Sequence, residues 1–405
     1  MIAYIVGVVV FALGICISVA LHEAGHMLTA KAFGMKVRRY FIGFGPKVFS
    51  FRRGETEYGV KWIPLGGFCD IAGMTALDEV TPDEAPRAMW RYKTWKRTVV
   101  LSAGSFTHFI LGFLVLYLMA ITMGLPNIND KPVLNSVSSC VTGATTIAEA
   151  NNPVCKPGDP APAKQAGLLP GDTVTSVAGK ATPTWTDTFN AIQAASGPTA
   201  FVIQRDGDTK SLTVDVAREL RPKVDDAGKV VGTTTVGAIG AGRTSSFAYN
   251  GLSAFGGATS FAGNMFEQTW NGLLAFPKRI PATVHSIFGG VRDPNTPVSV
   301  VGASRIGGQA VEQGLWQVFF LLLASLNFFV GVFNLLPLLP LDGGHIAVVW
   351  YERIRDWLRK VRGKSAAGPV DYTKLSAITL VFVFLGAAVT LLTVTADIVN
   401  PLRIP

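Results

Sequence analysis

Residues 19–32 read VALHEAGHMLTAKA, and they close a segment, Ile2–Leu21, that contains no charged residue. A membrane-length apolar stretch ordinarily ends in solvated lysines and arginines. This one runs into two histidines and a glutamate. Ionisable groups in hydrocarbon are costly and mark functional sites. His22 and His26 stand at i and i+4, on one face of a helix and one turn apart. Two imidazoles so placed can share one metal ion. Glu23, about 100° round the helix from His22, is within reach of a water activated there. H-E-x-x-H on a helix is the pattern of zinc hydrolases.

The composition agrees with a membrane setting. Of 405 residues, 49% are hydrophobic and 16% charged, against ~25% charged in soluble domains. Cys16, Cys69, Cys140 and Cys155 are too few and too scattered for a disulfide scaffold or a cysteine zinc site. The net charge of +9 is concentrated in two short segments, so it reads as topology and lipid contact and argues against nucleic-acid binding.

Four stretches are long and apolar enough to cross ~30 Å of hydrocarbon. The expected organisation is a first transmembrane helix with HEAGH at 1–33, a cytoplasmic loop with membrane-associated β-hairpins at 34–97, and a second transmembrane helix at 98–124. An outer domain at 125–220 and an outer linker with amphipathic helices at 221–312 follow. A third, broken transmembrane segment spans 313–350, a cytoplasmic loop 351–374, and a fourth helix 375–396. The first span lacks the basic flank of a signal peptide, so it is expected to be retained. Residues 31–97 hold thirteen Lys+Arg and seven Asp+Glu; Tyr351–Lys374 holds seven and three. Short basic loops are cytoplasmic. Residues 125–312 are nearly balanced, fifteen basic to fourteen acidic, and are expected outside, together with both termini.

Within 34–97, alternating aromatic and β-branched residues broken by Gly-Pro and Gly-Gly suggest short strands and turns lying against the membrane near the metal. In the outer domain, TWTDTFNAIQAA (184–195) reads as a helix, and Asp206-Gly207-Asp208 joins two strands as a hairpin. Aromatics at 261, 266, 270 and 276 suggest interfacial helices. Cys140 and Cys155 both fall outside, where a disulfide closing that loop can persist.

A catalytic zinc usually has three protein ligands. The third candidate is Asp342, at the end of an uncharged run and inside NLLPLLPLDGG (334–344). Prolines kink a helix and glycines admit unusual dihedrals, so a break here can turn a carboxylate inward. Asn334 adds a polar side chain nearby. His345 is a rival ligand that ranks below Asp342. His108 suits an interhelical hydrogen bond, and His285 has no partner pattern.

HEAGH in a first span, the GxxxYGVKWIPLGGFC hairpin (54–69), AGLLPGD (166–172) in an outer domain and NLLPLLPLDGG in a later span together resemble the site-2 protease family of intramembrane zinc metalloproteases. The likeness covers nearly the whole chain and is closest to the actinobacterial type with an extracytoplasmic PDZ-like domain. The resemblance implies a polytopic α-helical membrane protein with four transmembrane helices, a cytoplasmic-side membrane-associated β-sheet and an inserted extracytoplasmic PDZ-like α+β domain. It also implies a zinc metalloendopeptidase of the plasma membrane, with its active site toward the cytoplasm. That enzyme would cut transmembrane segments of single-pass proteins, of the anti-sigma-factor type, after a site-1 protease. His22, His26 and Asp342 would bind Zn2+, Glu23 would be the base, and Asn334 would hold substrate or oxyanion. Tyr58, Gly59, Val60, Gly66 and Gly67 in the sheet, and Gly167, Leu168, Gly171 and Asp172 in the PDZ-like domain, would contact substrate. The rival readings are a membrane metal transporter, an inactive PDZ-bearing scaffold, and an anchored zinc protease of the soluble type. Inverted repeats would mark the first and are not seen. An intact Glu23 argues against the second, and the placement of HEAGH within the span against the third.

Overall fold

A computed structural model describes residues 1–75, 78–151, 154–224, 230–368 and 370–404. It forms two compact units: Met1–Met123 with Tyr249–Pro405, and Gly124–Ala248. Among the described residues, four helical stretches, Ile2–Ala32, Thr94–Thr122, Trp316–Asn334 and Leu375–Val399, are long and apolar enough to cross a membrane.

The first unit opens with α1 (Ile2–Ala32), which carries the HEAGH motif and has Lys31 in its last turn. Strands β1 (Val37–Arg53) and β2 (Thr56–Ile71) follow. These are two long bent strands where several short ones were expected, and each pairs twice. Residues 37–42 pair with 67–71 on one side, 39–42 pair with 57–60 on the other, and 57–60 pairs also with 49–52. The sheet order by segment is therefore 49–53, 57–60, 37–42, 67–71, and 67–71 is an edge. The sheet is tied to α1: Tyr40 Oη donates to Ala20 O at 2.6 Å and Lys31 Nζ to Tyr58 Oη at 2.6 Å. Helix α2 (Thr94–Thr122) lies close along α1 at Gly25, where a Cβ would be only 2.8 Å from Ala103 O. Small residues of this kind let membrane helices approach.

The second unit holds β3 (Leu125–Pro126), β4 (Leu134–Val137), α3 (Ile147–Asn151), α4 (Pro162–Gln165), β5 (Thr173–Val177), β6 (Lys180–Ala181), α5 (Trp185–Ala194), β7 (Gly197–Arg205), β8 (Asp208–Val224), β9 (Val230–Ala238), β10 (Ala241–Arg243) and β11 (Ser246–Phe247). Its five-stranded sheet runs β6-β5-β7-β8-β9, with β10 on β4 and β11 on β3 as separate pairs. The core is Leu134, Leu168, Val174, Phe201, Ile203, Val214 and Val216. Helix α5 starts at a capping box between Thr184 and Asp187, which satisfies two otherwise orphaned donors. Asp206 and Gly207 have positive φ, and β7 and β8 pair around them as a hairpin. The unit continues through β11, past the expected limit at 220; residues 225–229 of the expected linker lie outside the described residues.

Cys140 and Cys155 are bonded, with Cα atoms 5.6 Å apart and a sequence separation of 15. Closing a loop of that length stabilises by about 3 kcal/mol in the chain-entropy model. Cys140→Ser should lower the unfolding free energy of this unit by about that amount, read by denaturant titration with limited proteolysis of the full chain. Equal stability of the variant and the oxidised parent would contradict it.

The chain then returns to the first unit as α6 (Ser253–Ile287), α7 (Val300–Glu312), α8 (Trp316–Asn334), α9 (Asp342–Val361) and α10 (Tyr372–Val399). Helix α6 packs its aromatics on α2 and α8: Phe266 lies 4.8 Å from Phe109 and 5.1 Å from Phe328, centroid to centroid. Helix α7 packs on α1, where a Cβ on Gly308 would meet Tyr4 O at 2.9 Å. The stretch expected as linker thus contributes two helices to the helical unit. Helix stops at Asn334 and resumes at Asp342, between α8 and α9. It then continues to Val361, well into the stretch read as a loop.

Candidate metal centre

Helix α1 brings His22 and His26 to one face, both buried. Their Nε2 atoms are 3.2 Å apart. His26 Nδ1 lies 2.7 Å from Val100 O of α2. A carbonyl only accepts, so Nδ1 carries the hydrogen and the Nε2 lone pair faces the site, as a metal-binding imidazole requires.

Asp342 is the first residue of α9, and its Oδ2 is 3.4 Å from both Nε2 atoms. The local sequence explains how it arrives there. After Asn334 the chain breaks at Pro337 and Pro340 and folds back over the first turn of α9. A Cβ on Gly344 would meet Leu338 C and Leu339 N at 2.6 Å, and one on Gly343 would strike Leu335 O. Only glycines allow that approach, and it aims the Asp342 carboxylate at the two histidines.

Among the described residues, this is the His/Cys/Asp/Glu group whose donor atoms converge, all within 4.8 Å. A tetrahedral ion with bonds of 2.0–2.1 Å separates its ligands by about 3.3 Å. The three separations of 3.2, 3.4 and 3.4 Å match that figure. Asp342 Oδ2 is buried and has no hydrogen-bond donor, an expensive state unless a cation satisfies it. Two imidazoles and a carboxylate suit zinc.

Helix α2 supplies the facing wall. A Cβ on Gly104 would lie 2.5 Å from His22 Cε1 and against His26 Nε2. One turn on, the His108 ring sits 5.0 Å from that of His22, and its Nδ1 is 2.9 Å from Asn327 Oδ1 on α8. Asn327 Nδ2 donates to Leu323 O, which fixes the amide orientation and makes His108 Nδ1 the donor. Gly104 and this buried pair were not singled out as site residues from sequence. The available signal was the i, i+4 spacing of Gly104 and His108, matching that of His22 and His26.

Glu23 is half-buried beside the triangle. A Cβ on Gly67 would be 3.0 Å from Glu23 Cγ, and the Cys69 backbone hydrogen-bonds its carboxylate. The sheet edge at 67–71 therefore borders the site. Asn334 is the last residue of α8. His345 turns toward Tyr372, ring centroids 6.1 Å apart, and His285 is exposed at the end of α6.

The other expected substrate residues are differently placed. Tyr58 is committed to Lys31 and stacks on Phe51. Gly59 lies against Phe49 O, where a Cβ would be 2.6 Å away, and Gly66, with positive φ, packs on Phe44. Val60 is exposed. In the second unit, Leu168 is core, and Gly167 and Gly171 take positive φ in the turn. Asp172 is buried; burial acts to raise its pKa, but Arg205 and the Leu169 N–H outweigh this and hold the carboxyl below its usual range. Leu168 and Asp172 thus build the turn and are not open to a ligand.

A sequence model described as "Peptidase family M50" matches residues 10–378. "Zinc metalloprotease Rip1" of Mycobacterium bovis is 46% identical over 99% of both chains. The protein of the same name from Mycolicibacterium smegmatis is 46% identical over 98% of both. "Metalloprotease MmpA" of Caulobacter vibrioides is 28% identical over 87% of this chain and 88% of its own length.

Proposed function

This chain belongs to peptidase family M50, the site-2 proteases, and we propose that His22, His26 and Asp342 hold its zinc, with Glu23 as general base in peptide hydrolysis. The observation that carries the assignment is the donor triangle, whose sides of 3.2, 3.4 and 3.4 Å fit a tetrahedral ion. Zinc, when bound, acidifies a water and polarises the scissile carbonyl. Glu23 takes the proton of the attacking water and passes it to the leaving nitrogen. Asn334 donates to the carbonyl oxygen as charge develops there. The Val100 carbonyl holds His26 in the tautomer that leaves Nε2 free.

As an intramembrane zinc protease, it acts on membrane proteins within the bilayer. A helical substrate hides its backbone in its own hydrogen bonds, so it must unwind locally, and an extended segment then needs partners. We assign that role to the edge strand 67–71, by β-augmentation. Gly67→Val should lower cleavage of a membrane substrate at least ten-fold, since its side chain would occupy the space between the strand and Glu23. Zinc content should stay unchanged, and undiminished cleavage would dismiss the edge strand.

The finer assignments follow from charge and sequence pattern. The basic segments 34–97 and 351–374 face the cytoplasm of the plasma membrane, and the unit around 125–220 is an extracytoplasmic PDZ-like domain that selects substrates. Those substrates are single-pass proteins of the anti-sigma-factor type, trimmed first by a site-1 protease. The test is cleavage of such a single-pass protein by the purified full-length chain in vesicles, full-length or with its outer domain removed. Cleavage of both forms at equal rates would remove the requirement for trimming. Cleavage of neither would remove this substrate class.

A further inference from the structure

Helix α9 begins at Asp342 and carries, beyond the metal centre, an apolar stripe that the protein does not cover. Trp350, Ile354, Trp357 and Val361 recur every three or four residues and are 46%, 52%, 58% and 70% exposed. Tyr351 and Leu358 flank them, at 58% and 41%. At 100° per residue the six span an arc of about 120°, and at 1.5 Å rise the stripe is about 16 Å long. Arg353 and Lys360 flank the stripe on one side, and Arg355, Arg359 and Arg362 on the other.

Helix α9 meets the protein through a different arc. Val349 is buried there, and Glu352 pairs with Arg97 of α2 at 3.1 Å, both side chains largely buried. The other acid, Asp356, accepts from Ala367 N and pairs with Arg355. Residues 351–364 hold six basic and two acidic side chains, so with both acids engaged the free charge is positive. Each of the four candidate spans contains a stretch of at least 18 residues that is apolar enough to cross a membrane, whereas α9 is apolar on one side only. A basic amphipathic helix bearing tryptophans suits the boundary of a bilayer, not its interior.

We propose that Trp350–Val361 lies in the membrane interface, with its stripe among the acyl chains and its basic side chains on anionic lipid headgroups. The two signals are complementary: the stripe gives depth and the cations give preference for acidic lipid. Because the same helix starts at Asp342, its seat in the interface also fixes the depth of that carboxylate. The proposal rests on the membrane placement of the helical unit.

The test uses the full-length protein with Cys16→Ala and Cys69→Ala, reconstituted in phosphatidylcholine vesicles with and without phosphatidylglycerol. Single cysteines replace Trp357, Lys360 or, as a reference in α10, Val381. All three positions lie at the surface, so folding is not at stake. Each receives a spin label, and collisions with oxygen and with a water-soluble nickel chelate are compared. The expected result is a lipid-accessible label at 357, a water-accessible one at 360, and deeper burial of 357 when phosphatidylglycerol is present. A water-accessible 357 beside a lipid-buried 381 would overturn the proposal, and a water-accessible 381 would overturn the membrane placement instead. Indifference to phosphatidylglycerol would refute the preference for anionic lipid. Dipolar broadening at 357 that scales with protein-to-lipid ratio would assign the stripe to a second copy of the chain.

Discussion

Glu23→Gln should lower cleavage of a membrane substrate by a factor of about 10²–10⁴, the usual worth of a positioned general base, and leave zinc bound. Glutamine keeps the shape of the side chain, and Glu23 stands beside the donor triangle without belonging to it. Its neighbours, Gly67 and the Cys69 backbone, can accept an amide with little movement. The measurement is single-turnover cleavage in vesicles beside metal analysis of the same preparation. Near-normal cleavage would remove Glu23 from the mechanism. Loss of the metal would make it a structural element of the site.

Gly104→Ala should weaken zinc binding by about 10–100-fold, the range seen when groups that orient metal ligands are disturbed, and cleavage should fall with it. The added methyl would sit 2.5 Å from His22 Cε1 and against His26 Nε2. Either α2 retreats from α1 or both imidazoles rotate, and each breaks the triangle. Gly112→Ala is the matched control: it meets Phe328 at 2.8 Å on the α2–α8 contact, away from the histidines. Both variants should loosen helix packing, and only Gly104→Ala should reduce zinc affinity in a chelator competition. Equal zinc affinity in the two would mean that α2 does not shape the site.

The candidate metal centre was legible because its residues are local in sequence at both ends. His22, Glu23 and His26 fix their own geometry through one helical turn, and Asp342 stands out as an acid after an uncharged run. The glycines behind it are legible as breakers. That they admit the returning Leu335–Leu339 backbone is a tertiary fact that no local pattern carries. Gly104 and the His108–Asn327 pair were harder for the same reason: their roles depend on which helices touch, and Asn327 lies 219 residues from His108.

The sheet shows a similar limit. Alternation announces strands, but the pairing of 39–42 with both 57–60 and 67–70 is a matter of long-range register. Helix α6 runs through Pro277 and Pro281, residues that normally argue for a break. Beyond the prolines Thr283 and Ser286 are buried, and Asn400 Nδ2 donates to Ser286 O at 3.1 Å, tertiary contacts of the kind that override a local signal. The continuation of α9 past residue 350 was obscured because charge density was read as loop. In a helix that is amphipathic, the same charges are simply one face.

The assignment of the zinc ligands is tested most directly by metal analysis of the purified full-length protein beside Asp342→Ala. The variant removes the one proposed ligand that comes from outside the HEAGH helix and leaves His22 and His26 in place. The expected result is about one zinc per chain in the parent, as for a three-ligand catalytic site, and little or none in Asp342→Ala after dialysis against a weak chelator. Full zinc occupancy in Asp342→Ala would contradict the account, because the metal would then be held by a set of residues other than the triangle formed by His22, His26 and Asp342.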